Sequence, residues 1–271
     1  MPVAESGIDR IAAAFATAKA ERRAALMPYL MGGFPDLATS AAVIDAYADT
    51  GADLIELGVP YSDPLADGPL IHAAGTTALR AGARFDAVLA LCERVPQRVP
   101  VLPMVYANVV LTLGAERFAA ALAEAGAAGA IVPDLPRSED PSIAAALLGR
   151  GLAPIGFVSP TTPPERLAAI ARDAVGFTYV VSLTGVTGER SELPPALGEL
   201  VAAVKAASDV PAAVGFGIGT PEQAAQVGAI ADGVIIGTRL VRAVADAAGE
   251  PDPAAAIDAV AAFMADTRVA L

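Results

Sequence analysis

Histidine and cysteine are nearly missing from this chain. Among 271 residues there is one of each, His72 and Cys92, and no tryptophan. A single cysteine excludes an intrachain disulfide and a cysteine-based zinc site, and it fits a reducing compartment. A single histidine excludes a His-rich metal centre. Basic residues are also scarce: 18 Lys and Arg against 30 Asp and Glu leave a net charge of −12. Nucleic acids and anionic membrane surfaces are bound through clustered Lys and Arg, so both partner classes are excluded. A phosphate site stays open, because backbone N–H groups can form one without a lysine. No uncharged run is long enough to span a bilayer; the longest, 99–115, is broken by Pro100, Pro103 and Asn108. The N-terminus meets Glu5, Asp9 and Arg10 early and lacks the layout of a signal peptide. A cytoplasmic chain is expected. Linkers, charge blocks and composition shifts are lacking too, so a single domain over 1–271 is expected.

What the chain has is apolar residues, 55% of the total, with a mean hydropathy of +0.54. They fall in short continuous runs: LMPYLM, DLIEL, VLPMVY, AIV, PIGFV, YVV, AAVGF and GVII. Continuous runs mark strands covered on both faces, as in parallel sheets. Each is followed by a Gly/Pro/Asp/Thr cluster and an Ala-rich segment with helical spacing, the repeat of βα units. The spacing predicts a helix over 8–20, then strands near 26–32, 53–58, 101–106, 129–133, 153–158, 177–182, 212–216 and 233–236. Helices are predicted over 39–50, 115–125, 164–171, 196–207 and 254–268, among others. Eight strands with eight crossovers favour an α/β (β/α)8 TIM barrel with an extra N-terminal helix. An open doubly wound sheet has the same periodicity. In a barrel the chemistry lies on the loops after the strands.

Three Gly-rich elements follow the last three strands: Gly185–Gly188, Gly215–Gly219 and Gly237–Arg239. Gly215–Gly219 runs into Thr220-Pro221, a helix start with Thr as N-cap and Pro at N1. Loops after strands seven and eight of a barrel commonly bind phosphate, and three such elements together point to a phosphate site. Glu56 lies inside an apolar run near the end of strand two. Alternation puts it on one face with Leu54, and Ile55 and Leu57 on the other. A lone acid there is costly to bury, which raises its pKa toward neutrality, as proton transfer requires. An ion pair is the alternative, yet no Lys or Arg occurs in any apolar run. Asp67 lies in SDPLADGP, a loop with the composition of a lid. Asp67 reads equally as a helix cap before Pro69 or as a functional acid, while Asp63 reads as a turn residue. Thr178 and Tyr179 are placed at the end of strand six, and Tyr106 and Asn108 at the end of strand three. Both tyrosines could line an apolar pocket, but on the residues alone the barrel-core reading is favoured. His72 reads as a surface residue and Cys92 as helix packing.

Together these segments resemble the α subunit of tryptophan synthase over almost the full chain. The motifs are ELGVPYSDPLADGP (56–69), PMVYAN (103–108), VPDLP (132–136), SLTGVTG (182–188), GFGI (215–218) and GVIIGT (233–238). The resemblance implies retro-aldol cleavage of indole-3-glycerol phosphate to indole and glyceraldehyde 3-phosphate, the last stage of tryptophan biosynthesis. By motif position Glu56 and Asp67 are the catalytic pair. Tyr179 lines the indole pocket, with Tyr106 a further substrate-binding candidate. Gly188, Gly217 and Gly237, with Phe216 and Thr238, cradle the phosphate, and Thr187 closes against Asp67. The resemblance also implies no metal and no cofactor in this chain. Its partner would be a β subunit holding pyridoxal phosphate, in an αββα tetramer. Pro60–Pro64, Asn108 and Asp134–Pro136 would lie near that contact. Met31, His72 and Thr238 stand where the family more often has Thr, Gln and Ser. Two other functions compete: an allosteric partner with little turnover alone, and a sugar-phosphate isomerase on the same barrel.

Overall fold

The computed structural model describes residues 5–95, 98–136, 139–181, 196–215, 217–248 and 254–271. Among the described residues nine parallel strands carry the fold: β1 (Ala25–Met31), β2 (Ile55–Gly58), β3 (Val101–Met104), β4 (Gly129–Ala130), β5 (Ala153–Pro154), β6 (Gly156–Val158), β7 (Thr178–Val181), β8 (Ala212–Gly215) and β9 (Gly233–Ile236). Seven are hydrogen-bonded in the order β3-β2-β1-β9-β8-β7-β6, and β4 pairs with β5. A parallel bridge between Met104 and Ile131 joins β3 to the chain just after β4. On the other side, Ile155 separates β5 from β6 and donates its N–H to the Ala130 carbonyl at 3.0 Å. β5 and β6 are thus two halves of one barrel position, one paired with β4 and the other with β7. The sheet closes on itself, so the barrel and not the open sheet is the fold.

β4 is shorter than the predicted 129–133, whereas β5 and β6 together span the predicted 153–158 with a break at Ile155. At Gly129 an added Cβ would meet the Ala153 carbonyl oxygen at 2.3 Å, so the two backbones approach too closely for a side chain. Strand three also ends sooner than predicted. Tyr106 is the N-cap of a helix, Ala107–Leu113, and Asn108 lies in its first turn. The cap is supplied from a neighbouring loop, where Asp134 accepts from the Ala107 N–H at 2.8 Å. That partner is 27 residues away, beyond any local pattern. Thr178 and Tyr179 open β7 and do not end it.

Period-two alternation sorts side chains into two cores. Met27, Leu54, Leu102, Phe177, Tyr179 and Ile235 fill the barrel interior. Leu26, Ile55, Leu57 and Val180 pack outward against the helices. Leu54 therefore points inward and Ile55 and Leu57 outward, and Glu56, which shares a face with Leu54 as its spacing predicts, lies on the inner one. The N-terminal helix Gly7–Ala20 starts on a capping box between Ser6 and Asp9. It contributes Ile11, Phe15 and Ala18 to the barrel interior and so plugs the end opposite the strand termini. No helix among the described residues is long and apolar enough to cross a membrane.

Candidate active site

Glu56 is 1% exposed, the one acid among the buried residues of the described chain. Its register partners are Tyr29 on β1 and Leu102 on β3. Its Oε1 atom has no hydrogen-bond partner. Burial with neither a cation nor a donor to offset it raises the carboxyl from 4.5 to about 8. A group at that value is protonated at neutrality and able to give and regain a proton.

Asp67 lies on the loop that follows β2. Helix Pro69–Arg80 starts with Gly68 as N-cap and no side-chain cap, so Asp67 is not the capping residue. Its carboxylate instead accepts from the Tyr106 hydroxyl at 2.9 Å. The same hydroxyl accepts from the Ala66 N–H at 3.2 Å. Tyr61 stacks on Tyr106 with ring centroids 5.2 Å apart, and Asn108 donates to the Tyr61 hydroxyl at 3.1 Å. Partial burial raises the Asp67 pKa, while the Tyr106 hydrogen bond and the His72 charge pull it back down. His72 itself is exposed, as a surface residue should be.

Tyr179 is buried in the barrel interior and stacks on Phe157 at 4.9 Å. Burial first, and then the Glu56 charge, raise its phenol well above its ordinary range. Thr178, next to it, points outward by alternation, and its buried hydroxyl has no partner. Tyr29 is a site residue that the apolar run ALMPYLM conceals. Burial, then the charges of Asp67 and Glu56, raise its phenol far above normal. Its hydroxyl has the Met31 sulfur at 4.0 Å. Counting by two from the inward-facing Ala25 and Met27 would have found it. Its ring tip rests over Gly58, where an added Cβ would fall 2.1 Å from the hydroxyl. Met31 thus supplies a sulfur contact to Tyr29.

The two late glycine loops lie side by side because β8 and β9 pair, with Gly215 opposite Ile235. Gly217 has a φ of 77°, a left-handed conformation that only glycine adopts readily. Thr220 caps the next helix by accepting from the Gln223 N–H, with Pro221 in the first turn. Gly237 is the N-cap of helix Thr238–Ala247, and Thr238 is buried at its start. Leu240 already donates to the Gly237 carbonyl at 3.0 Å, which leaves the N–H groups of Thr238 and Arg239 at the helix start able to hold an anion. Thr187, Gly188 and Phe216, and the whole of Gly185–Gly188, lie outside the described residues.

The family model described as "Tryptophan synthase alpha chain" matches residues 15–268. The chain belongs to the tryptophan synthase alpha chain family. A tryptophan synthase alpha chain from Gloeobacter violaceus is 47% identical over 244 residues, covering 89% of this chain and 88% of that one. One from Synechocystis sp. is 43% identical over 267 residues, 97% of this chain and 100% of the relative. Among solved structures, Mycobacterium tuberculosis tryptophan synthase superposes with a TM-score of 0.88 at 40% identity, covering 96% of this chain and 97% of that chain. The tryptophan synthase alpha family therefore accounts for the barrel and for the order of the motifs.

Proposed function

We propose that the chain cleaves indole-3-glycerol phosphate to indole and glyceraldehyde 3-phosphate. Glu56 carries the reading: it is a buried, unpartnered acid near the end of an inner barrel strand, with its carboxyl raised to about 8. In the proposed reaction Glu56 gives its proton to the indole carbon that bears the glycerol chain, which leaves the ring nitrogen cationic. Asp67 stabilises that charge. Glu56 then takes the proton of the adjacent hydroxyl. The carbon–carbon bond breaks, its electron pair returns to the ring, and the hydroxyl carbon leaves as the aldehyde. Glu56 ends protonated, as it began.

Tyr179 and Tyr29 would line the indole pocket. Gly217, Gly237 and Thr238 would hold the phosphate, with Gly188 and Phe216; Thr187 would close against Asp67. In this reading one barrel domain spans 1–271 and works in the cytoplasm. It pairs with a β subunit that binds pyridoxal phosphate, in an αββα tetramer. The chain itself uses no cofactor. Pro60–Pro64, Asn108 and Asp134–Pro136 would face the partner. The test is indole release from indole-3-glycerol phosphate by the isolated chain, with and without β subunit. Slow release that rises on adding β is expected, and no indole under either condition would overturn the reading.

A further inference from the structure

The Tyr106 hydroxyl has one proton to donate, and that proton is already committed. It goes to Asp67 Oδ1 at 2.9 Å, while a lone pair of the same oxygen accepts the Ala66 N–H at 3.2 Å. Both bonds reach the last residues of the lid, across a sequence gap of about 40 residues. The ring cannot swing to a ligand without breaking both. It is held from below by the helix start that Asp134 caps through the Ala107 N–H, and from the side by Tyr61, which Asn108 fixes through its hydroxyl. We propose that Tyr106 is a positioning residue: its hydroxyl clasps the lid and aims the Asp67 carboxylate, and it donates nothing to the substrate.

The groups facing Asp67 come from three elements: Tyr106 after β3, His72 on helix Pro69–Arg80, and Tyr29 on β1. Of these, only Tyr106 hydrogen-bonds the carboxylate. A donor to a carboxylate favours its ionised form, so loss of the hydroxyl raises the Asp67 pKa. This inference rests on the lyase reading for its kinetic arm alone.

The experiment is Tyr106→Phe, which keeps the stacked ring, assayed in the presence of β subunit and by amide hydrogen exchange of the isolated chain. Loss of a hydrogen bond to a charged group should lower kcat roughly ten- to a hundredfold, with KM changed less than about threefold. The acid limb of kcat/KM should move to higher pH while the alkaline limb, set by Glu56, stays. Exchange across 61–67 should quicken, since the Ala66 N–H has lost its acceptor. A raised KM at native kcat, or unchanged exchange, would overturn the proposal in favour of direct substrate contact. If the unsubstituted chain releases no indole with β, the lyase reading fails on its own, and the exchange arm still decides the clasp.

Discussion

At the scale of single residues, the site turns on one acid in a dry place. Glu56→Gln keeps the shape and removes the proton, so it should lower the rate roughly 100- to 10,000-fold while calorimetry still detects substrate binding. Near-native turnover would mean that another group is the acid. The same burial has a cost that depends on pH. The carboxyl titrates near 4.5 when exposed and near 8 when folded. Between those values the unfolded chain sheds a proton that the folded chain keeps. Stability is therefore full below about 4.5 and declines as pH rises to about 8, by at most about 1.4 kcal/mol per pH unit. Glu56→Gln removes this slope, so its stability advantage in urea should grow between pH 5 and pH 8. A constant difference between parent and variant across that range would show that Glu56 is hydrated. Glu56 is legible in the sequence because it is a lone acid in an apolar run, although only the barrel shows that the face it shares with Leu54 is the inner one. The environment of Asp67 is not legible, since it depends on Tyr106, 39 residues away. Tyr29 is hidden for another reason: a tyrosine in an apolar run looks like core until the strand's inner face is counted.

At the scale of elements, helices and most strands are read to within a residue or two, and the clearest misses are the ends of β3 and β4. The helices Ala196–Ala207 and Ala115–Glu124 match their predicted spans to within a residue, because Ala-rich spacing and a Gly or Pro boundary are local signals. Strand limits are set by neighbours. β4 is two residues long, and its Gly129 lies too close to the Ala153 carbonyl of β5 to carry a side chain, while β5 stops at Ile155 where the strand changes partner from β4 to β7. β2 shows how closely an element's end is fitted to the site. Gly58 ends it, and the Tyr29 ring lies where a side chain would be. Gly58→Ala should displace that ring, costing about 1–3 kcal/mol of stability as overpacking does and lowering indole release by roughly tenfold or more. Thermal unfolding and steady-state kinetics on one preparation check both parts. An active variant of unchanged stability would contradict the packing of Tyr29 on Gly58.

At the scale of the molecule, the barrel has two ends with different jobs. The plugged end holds the fold together: Phe15 of the N-terminal helix meets Phe177 at 5.8 Å, and Phe177 meets Tyr179 at 6.3 Å. Phe15→Ala should cost about 3–5 kcal/mol, yet the chains that remain folded should turn over at the parental rate. Denaturant melts together with activity per folded chain test this; a change in rate larger than the loss of folded protein would show that the plug also shapes the pocket. The apolar runs reveal the eightfold repeat but not closure, which depends on Ala25–Pro28 of β1 pairing with Gly233–Ile236 of β9, some two hundred residues later. That pairing carries a consequence for synthesis. On the ribosome, Glu56 emerges early and β9 among the last elements. Until the final strand docks, the glutamate is wet and is an ordinary surface acid. A nascent or truncated chain carries the residue but not the reagent, and chemical competence arrives only when the ring of strands is complete.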